Sequence, residues 1–250
     1  MDWLKNKVVI NADDFGYSPL VNEAIDESFQ KEYIHQTSIM VNMPSFNDAV
    51  TLSKNHGYFG KIGLHINLTE GVPLTDGIKS SELCTNGLFN QLLVKNKKKR
   101  LFINKQEQFV IREELKAQIE CYLNQGFSLN HLDSHQHIHT NLSIIKILYP
   151  LLREYGFKSI RLSRFFPQMK SSLINLIYKK IYNAVIYSYN QNNAHDVYKK
   201  LKYFGSFDDW MLMDTSLKSS RKYAFEIMVH PIKQNGMIYD SVNHKKLFKG

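Results

Sequence analysis

A chain of 250 residues with 43% hydrophobic and 12% aromatic residues has the material for one large core, which excludes an intrinsically disordered protein and fits a single α/β domain of the larger kind. The formal charge of +9 draws the surface toward anionic partners without choosing among them; the one dense basic run, KNKKKR at 95–100, has no interleaved aromatics, which argues against nucleic acid. Two cysteines, Cys84 and Cys121, lie far apart and outside any CxxC pattern, so neither a disulfide framework nor a zinc knuckle is expected.

The N-terminal MDWLKNK lacks an apolar signal region, and no run approaches about eighteen uninterrupted apolar residues, so a cytoplasmic protein without a transmembrane segment is expected. The apolar run at 7–12 predicts a buried strand. Ser18 and Pro19 then read as an N-cap and first helical residue of a helix to about residue 31. A second strand (36–41), a helix from about Ser45, and a third strand (61–68, KIGLHINL) follow. Residues 69–104 show weak periodicity and predict a long loop or small insertion, with the 95–100 run a solvated part of it. A helix at 107–125 ends at Gly126, a fourth strand spans 128–135, and Asn141 and Gly156 bracket a further helix. Strand KSIRLS (158–163), a helix at 170–190, and strands at 202–208 and 222–230 complete the chain. Strands separated by helices predict parallel βαβ connections, as an open sheet or a closed barrel.

In such folds chemistry gathers at the carboxyl ends of the strands. Asp13 and Asp14 end the first strand, His65 lies late in the third, His135 follows the fourth, and His230 ends the last. Two adjacent carboxylates at the mouth of a buried strand repel each other, and a bound cation would offset that repulsion. Adjacent residues of a regular strand point to opposite faces, so both can act at one place only if the strand ends at Asp13.

The segment HLDSHQHIH (131–139) puts His135, His137 and His139 at spacing two, with Asp133 in the same parity. If it is extended they share a face; if it turns helical, His135 and His139 pair instead. Imidazoles beside a carboxylate form the ligand set of zinc and related divalent ions.

NADDFG (11–16), GLHINLTEG (63–71), HLDSHQHIH and the late MVHP (228–231), in that order, resemble the YdjC-like family of carbohydrate deacetylases, the group that contains diacetylchitobiose deacetylase and the hopanoid-associated deacetylases. The resemblance implies a single-domain, distorted (β/α) barrel related to polysaccharide deacetylases. It also implies one divalent metal ion, Zn2+ or Mg2+, held by Asp14, His65 and His135, with Asp13 as general base and His230 as general acid. Arg161 matches a position where related deacetylases keep an arginine beside the base. Asp133, His137 and His139 are candidates for orienting the ligands or binding substrate, and His139 is an alternative to His135 as second histidine ligand.

The implied reaction is hydrolysis of an acetamide on an N-acetylated saccharide, releasing acetate and an amino sugar. A rival is a metal-dependent amidohydrolase or phosphoesterase, for which an HxH pair at the end of the first strand is expected; Asp-Asp stands there instead. A non-catalytic carbohydrate-binding protein is a second rival. Helix 171–189 has a broad face of Leu173, Leu176, Ile177, Tyr178, Ile181, Val185 and Ile186, expected to pack on the core; a basic amphipathic helix can also lie on a membrane, which would suit a lipid-linked sugar at the inner membrane surface. Homo-oligomerisation is left open.

Overall fold

The computed structural model describes residues 8–165, 172–194, 197–213, 218 and 224–248. Its strands in chain order are β1 (Val8–Phe15), β2 (Gln36–Ile39), β3 (Ile62–Ile66), β4 (Cys84–Thr85), β5 (Leu88–Phe89), β6 (His131–Ser134), β7 (Ser159–Ile160), β8 (Leu201–Ser206), β9 (Ala224–Val229), β10 (Pro231–Gln234) and β11 (Met237–Asp240). The helices are α1 (Pro19–Gln30), α2 (Phe46–Asn55), α3 (Asp76–Lys79), α4 (Leu92–Lys95), α5 (Lys97–Leu101), α6 (Lys105–Asn124), α7 (Leu142–Glu154), α8 (Leu173–Asn193) and α9 (Phe207–Leu212).

Seven strands make one sheet in the order β7-β6-β3-β2-β1-β9-β8, every neighbour parallel. Parallel strands need crossovers, and helices packed on the sheet leave each strand buried on both sides, which explains the apolar start of β1, Val8 to Ile10. The sheet curls into a half-barrel with flanking helices, as the strand and helix alternation predicts. An isolated antiparallel bridge, with Phe165 N donating to Phe204 O at 2.9 Å, ties the chain beyond β7 to β8 at the opposite edge.

The bare edge of β7 is closed by α8. Asn190 accepts from Ile160 N (3.0 Å) and donates to Ile160 O (2.9 Å), and Asn183 does the same for Ser163 N (2.8 Å) and O (3.2 Å). Seven residues of helix rise about 10.5 Å and three of strand about 10 Å, so two asparagine amides two turns apart replace a missing strand. Only the side of α8 that carries Tyr182, Asn183, Ile186, Tyr189 and Asn190 is buried. The broad core-facing surface expected of this helix is therefore corrected: Leu173, Ile177, Ile181 and Val185 are exposed. Residues 170 and 171 of the expected helix lie outside the described residues.

The 69–104 stretch holds the β4–β5 hairpin and helices α3, α4 and α5. The basic run forms a helical turn, contrary to the expected loop. Asn96 Oδ1 caps it by accepting from Lys98 N (2.9 Å) and Lys99 N (3.3 Å), and Lys99 pairs with Glu82 and Glu107. Those carboxylates come from outside the run, so its own period could not reveal the turn. Asn141 precedes α7 as expected, but its side chain does not cap; it donates to Leu93 O (3.0 Å) and accepts from Arg100 Nε (3.1 Å). The strand expected at 202–208 stops at Ser206, whose hydroxyl caps α9 in a reciprocal arrangement with Asp209. Of the last expected strand, 224–229 is extended as β9 and 222–223 lie outside the described residues. No helix among the described residues is long and apolar enough to cross a membrane.

Candidate metal and catalytic site

Two neighbouring carboxylates reach one place because β1 is irregular where they stand. Ala12 pairs with Thr37 and Phe15 with Ile39, three steps against two, which is a β-bulge at Asp13 and Asp14. Asp14 adopts φ +69°, a left-handed conformation that Asp tolerates better than most residues. Gly16 follows at φ +91°, where a Cβ would sit 3.0 Å from Met40 O. The strand does not end at Asp13, as the alternation argument required, but continues to Phe15; the bulge makes the reversal.

Asp14 Oδ1 lies 2.8 Å from His135 Nδ1 and 3.2 Å from His65 Nε2. His65 comes from β3, while His135 opens the helical turn that follows β6. One ligand atom from each of Asp14, His65 and His135 lies within 4.8 Å of the others. Three donors each about 2.1 Å from a common ion stand roughly 3–4 Å apart, so the set fits a divalent cation. His65 is held from behind: its Nδ1 is 2.7 Å from Asp133 Oδ1, and Ser38 Oγ donates to Asp133 Oδ2 at 2.9 Å. A carboxylate behind an imidazole is the usual way of fixing a ligand's tautomer and orientation. Burial pushes against protonation of His65, yet Asp133 and Asp14 lift its pKa to about 10. Burial likewise opposes protonation of His135, and Asp14 raises it to about 9.

Asp13 stays in the same cluster, within 4.8 Å of ligand atoms of His65 and Asp133, but is held by a cation. Arg161, which follows β7 and is fully buried, donates Nη1 to Asp13 Oδ2 (2.6 Å) and Nη2 to Asp13 Oδ1 (2.8 Å). The same guanidinium meets Asp133 Oδ2 at 2.7 Å and Glu226 Oε1 at 2.7 Å. Burial would raise the Asp13 pKa, but Arg161 outweighs it and holds the carboxyl below its usual range. His230, directly after β9, lies with Nε2 3.8 Å from Asp13 Oδ2 and Nδ1 3.8 Å from Asp240 Oδ2. Burial lowers its pKa; the contact with Asp240 and the charge of Asp13 reverse that and raise it.

The other two histidines of HLDSHQHIH part company. Gln136 and His137 have left-handed backbones (φ +50° and +55°), so the segment is neither extended nor regularly helical. His139 turns inward, fully buried, with Nδ1 on Ser134 Oγ. It is absent from the group of Asp14, His65 and His135. His137 sits edge-on to Phe204 with ring centroids 5.5 Å apart, and burial together with Arg161 pushes its pKa down to about 3. It is a neutral imidazole on the wall of a cleft that also includes Gln136, Arg100 and Arg164.

Sequence reasoning assigned no role to Glu70, Ser38, Glu226 or Asp240. Glu70 Oε1 approaches His135 Nε2 at 3.5 Å, while Tyr17 Oη donates to its Oε2 at 3.0 Å. Its loop is folded by Asn67, which accepts from Thr69 N (3.1 Å) and donates to Glu70 O (2.7 Å). Glu226 had a signal, a charge inside the otherwise apolar β9; Ser38 had none.

Residues 7–246 match the model of the family described as YdjC-like protein. The chain belongs to this family. Curated relatives described as carbohydrate deacetylase include proteins from Brevibacillus brevis, 36% identical over 149 residues (60% of this chain and 56% of that protein), and Vibrio parahaemolyticus, 38% identical over 151 residues (60% and 56%). The matched segment spans little more than half the length of these relatives. Among solved structures, one described as a cellobiose-phosphate cleavage protein from Enterococcus faecalis superposes with TM-score 0.65 at 22% identity, covering 91% of this chain and 82% of that one. At that identity it speaks for the YdjC-like fold alone.

Proposed function

We propose that this YdjC-like protein is a metal-dependent deacetylase that hydrolyses the acetamide of an N-acetylated sugar. The observation that carries the reading is a pair of adjacent carboxylates in opposed settings: Asp14 faces two imidazoles, and Asp13 is clamped by Arg161 with His230 across from it. The relatives described as carbohydrate deacetylase support the substrate class.

In this reading Asp14, His65 and His135 hold one divalent ion, and two imidazoles with a carboxylate suit zinc and its neighbours. When bound, the ion acidifies water and polarises the amide oxygen. Asp13, kept ionised by Arg161, would accept the proton of the attacking water. The water oxygen bonds to the acyl carbon, the C–N bond breaks, and His230 delivers a proton to the departing nitrogen. Acetate and an amino sugar result. The raised pKa of His230 keeps that proton available near neutrality. In this reading His137, on the cleft wall, would meet the sugar or its acetamide. The free cysteines support the expected cytoplasmic location.

The test is an acetate-release screen over N-acetylglucosamine oligomers, nucleotide sugars and lipid-linked N-acetylated sugars, with zinc, magnesium and other divalent ions supplied in turn. Acetate from at least one substrate, abolished by chelation, is expected. Phosphate release from phosphoesters without acetate release would replace this reading with the phosphoesterase one.

A further inference from the structure

The exposed side of α8 has no place in the chemistry above. Its buried side is fully engaged with β7, yet Ile174 (81% exposed), Ile177 (50%), Ile181 (62%) and Val185 (51%) form a stripe along the other, at spacings of three and four that keep them in line. Next to the start of this stripe stands α5. Lys97, Arg100 and Leu101 of α5 line one open cleft of about 560 Å3 with Ile174 and Tyr178 of α8, and Phe102, just past α5, is 71% exposed. Large apolar side chains on two adjacent helices thus share a surface.

That surface is also basic. No Asp or Glu occurs at 83–106 or 172–193, where Lys95, Lys97, Lys98, Arg100 and Lys180 are exposed, while Lys179 turns to the cleft with His137 and Arg164. Of the α5 basic residues Lys99 turns inward, to Glu82 and Glu107, and Arg100 donates Nε to Asn141 Oδ1 at 3.1 Å while staying exposed. A second copy of the chain docking here would set one basic patch against another. An anionic bilayer meets both features: the isoleucines enter the headgroup and acyl boundary, and the lysines lie along it with their ammonium groups on lipid phosphates.

The geometry points to a peripheral membrane-docking face made of α5 and the outer side of α8, its occupant an anionic lipid surface. The cleft on this face shares Arg100, Thr140 and Asn141 with the smaller cleft walled by Gln136 and His137 beside the candidate site. A docked molecule therefore has its site approached from the lipid side. If the deacetylase reading holds, that approach suits a sugar carried on a lipid. The docking itself does not depend on that reading.

Sedimentation of the full chain with vesicles tests it. Binding to phosphatidylcholine vesicles containing phosphatidylglycerol, weak binding to phosphatidylcholine alone, and release at high salt are expected. Each basic residue at such a surface contributes about fivefold in partitioning, so Lys97→Glu/Lys98→Glu is expected to lose at least roughly 25-fold. Ile174→Asp/Ile177→Asp should lose at least about tenfold. All four positions are exposed, and unchanged thermal melts would show that the fold is kept. Absence of binding to the anionic vesicles, or equal binding by wild type and both variants, would overturn the inference. So would a concentration-dependent dimer in size-exclusion chromatography, abolished by Ile177→Asp, in a protein that ignores vesicles. Acetate release is measured separately on a water-soluble substrate, so failure of docking and failure of the deacetylase reading give different results.

Discussion

Replacing Asp133 by asparagine is expected to weaken divalent-metal binding about ten- to a hundredfold, or roughly 1.4–2.7 kcal/mol, the usual effect of removing the carboxylate behind a ligating histidine. Asp133 is fully buried and serves three donors: His65 Nδ1 at 2.7 Å, Ser38 Oγ at 2.9 Å and Arg161 Nη2 at 2.7 Å. Asparagine keeps the shape but has one acceptor oxygen, and its amide hydrogens face donors. His65 loses a charge-assisted bond, the imidazole is freer to turn, and its Nε2 is a poorer ligand. Arg161 retains Asp13 and Glu226, so the fold should survive at a cost of about 1–3 kcal/mol, a fall of roughly 2–12 °C in Tm. The assay is titration of metal-stripped protein against a chromogenic chelator, with a thermal melt of the same sample. Wild-type metal affinity in a folded Asp133→Asn protein would show that His65 is not a ligand, and the proposed metal site would fall.

Asp13→Asn is expected to lower turnover by about 10²–10⁴-fold, the range for removal of a general base, while metal content measured by atomic emission stays near normal; His135→Ala should lose the metal itself. Comparable turnover in Asp13→Asn and wild type would refute the base. Asp240→Asn removes a group that raises the His230 pKa. A general acid must be protonated to act, so the alkaline limb of kcat/KM should move to lower pH in this variant; an unmoved limb would assign that limb to another group. Asn190→Ala strips both Ile160 backbone partners at the edge of β7, a loss of about 2–4 kcal/mol and roughly 4–16 °C in Tm. An unchanged melt would mean that water closes the edge equally well.

The parallel sheet was legible because βαβ units leave a strong pattern: an apolar run, Ser18-Pro19, then helical spacing. The groups at the strand ends were legible for the same reason, since parallel strands present their carboxyl ends to one rim. Contacts between distant segments were hidden. Nothing near KNKKKR announces that Glu82 and Glu107 will steady a helical turn there. Nothing in an apolar helix says which side will face β7 until Asn183 and Asn190, seven residues apart, are matched to Ser163 and Ile160. The bulge at Asp13 and Asp14 was hidden differently. Period-two alternation separates neighbours onto opposite faces, and a single left-handed residue breaks that rule without changing the composition of the strand.

That bulge is what makes two identical side chains into different reagents. In a regular strand one of the two would point into the helix layer and be useless. With φ of Asp14 positive, both stay at the rim but diverge, one toward His65 and His135 and the other toward Arg161. Environment then sets their chemistry, as it does wherever two carboxylates share a site. Asp14 is surrounded by imidazoles, groups that either carry protons or bind metal, so in the proposed reading its charge would serve a cation. Asp13 is surrounded by a guanidinium that cannot give up its proton and is itself shared with Asp133 and Glu226. Arg161 therefore links the proposed base to the residue that orients His65. Disturbing Glu226 should accordingly reach both, through a group that touches neither metal nor substrate, and a double-mutant cycle between Glu226→Gln and Asp133→Asn should show coupling of about 0.5–3 kcal/mol, as residues in one network do.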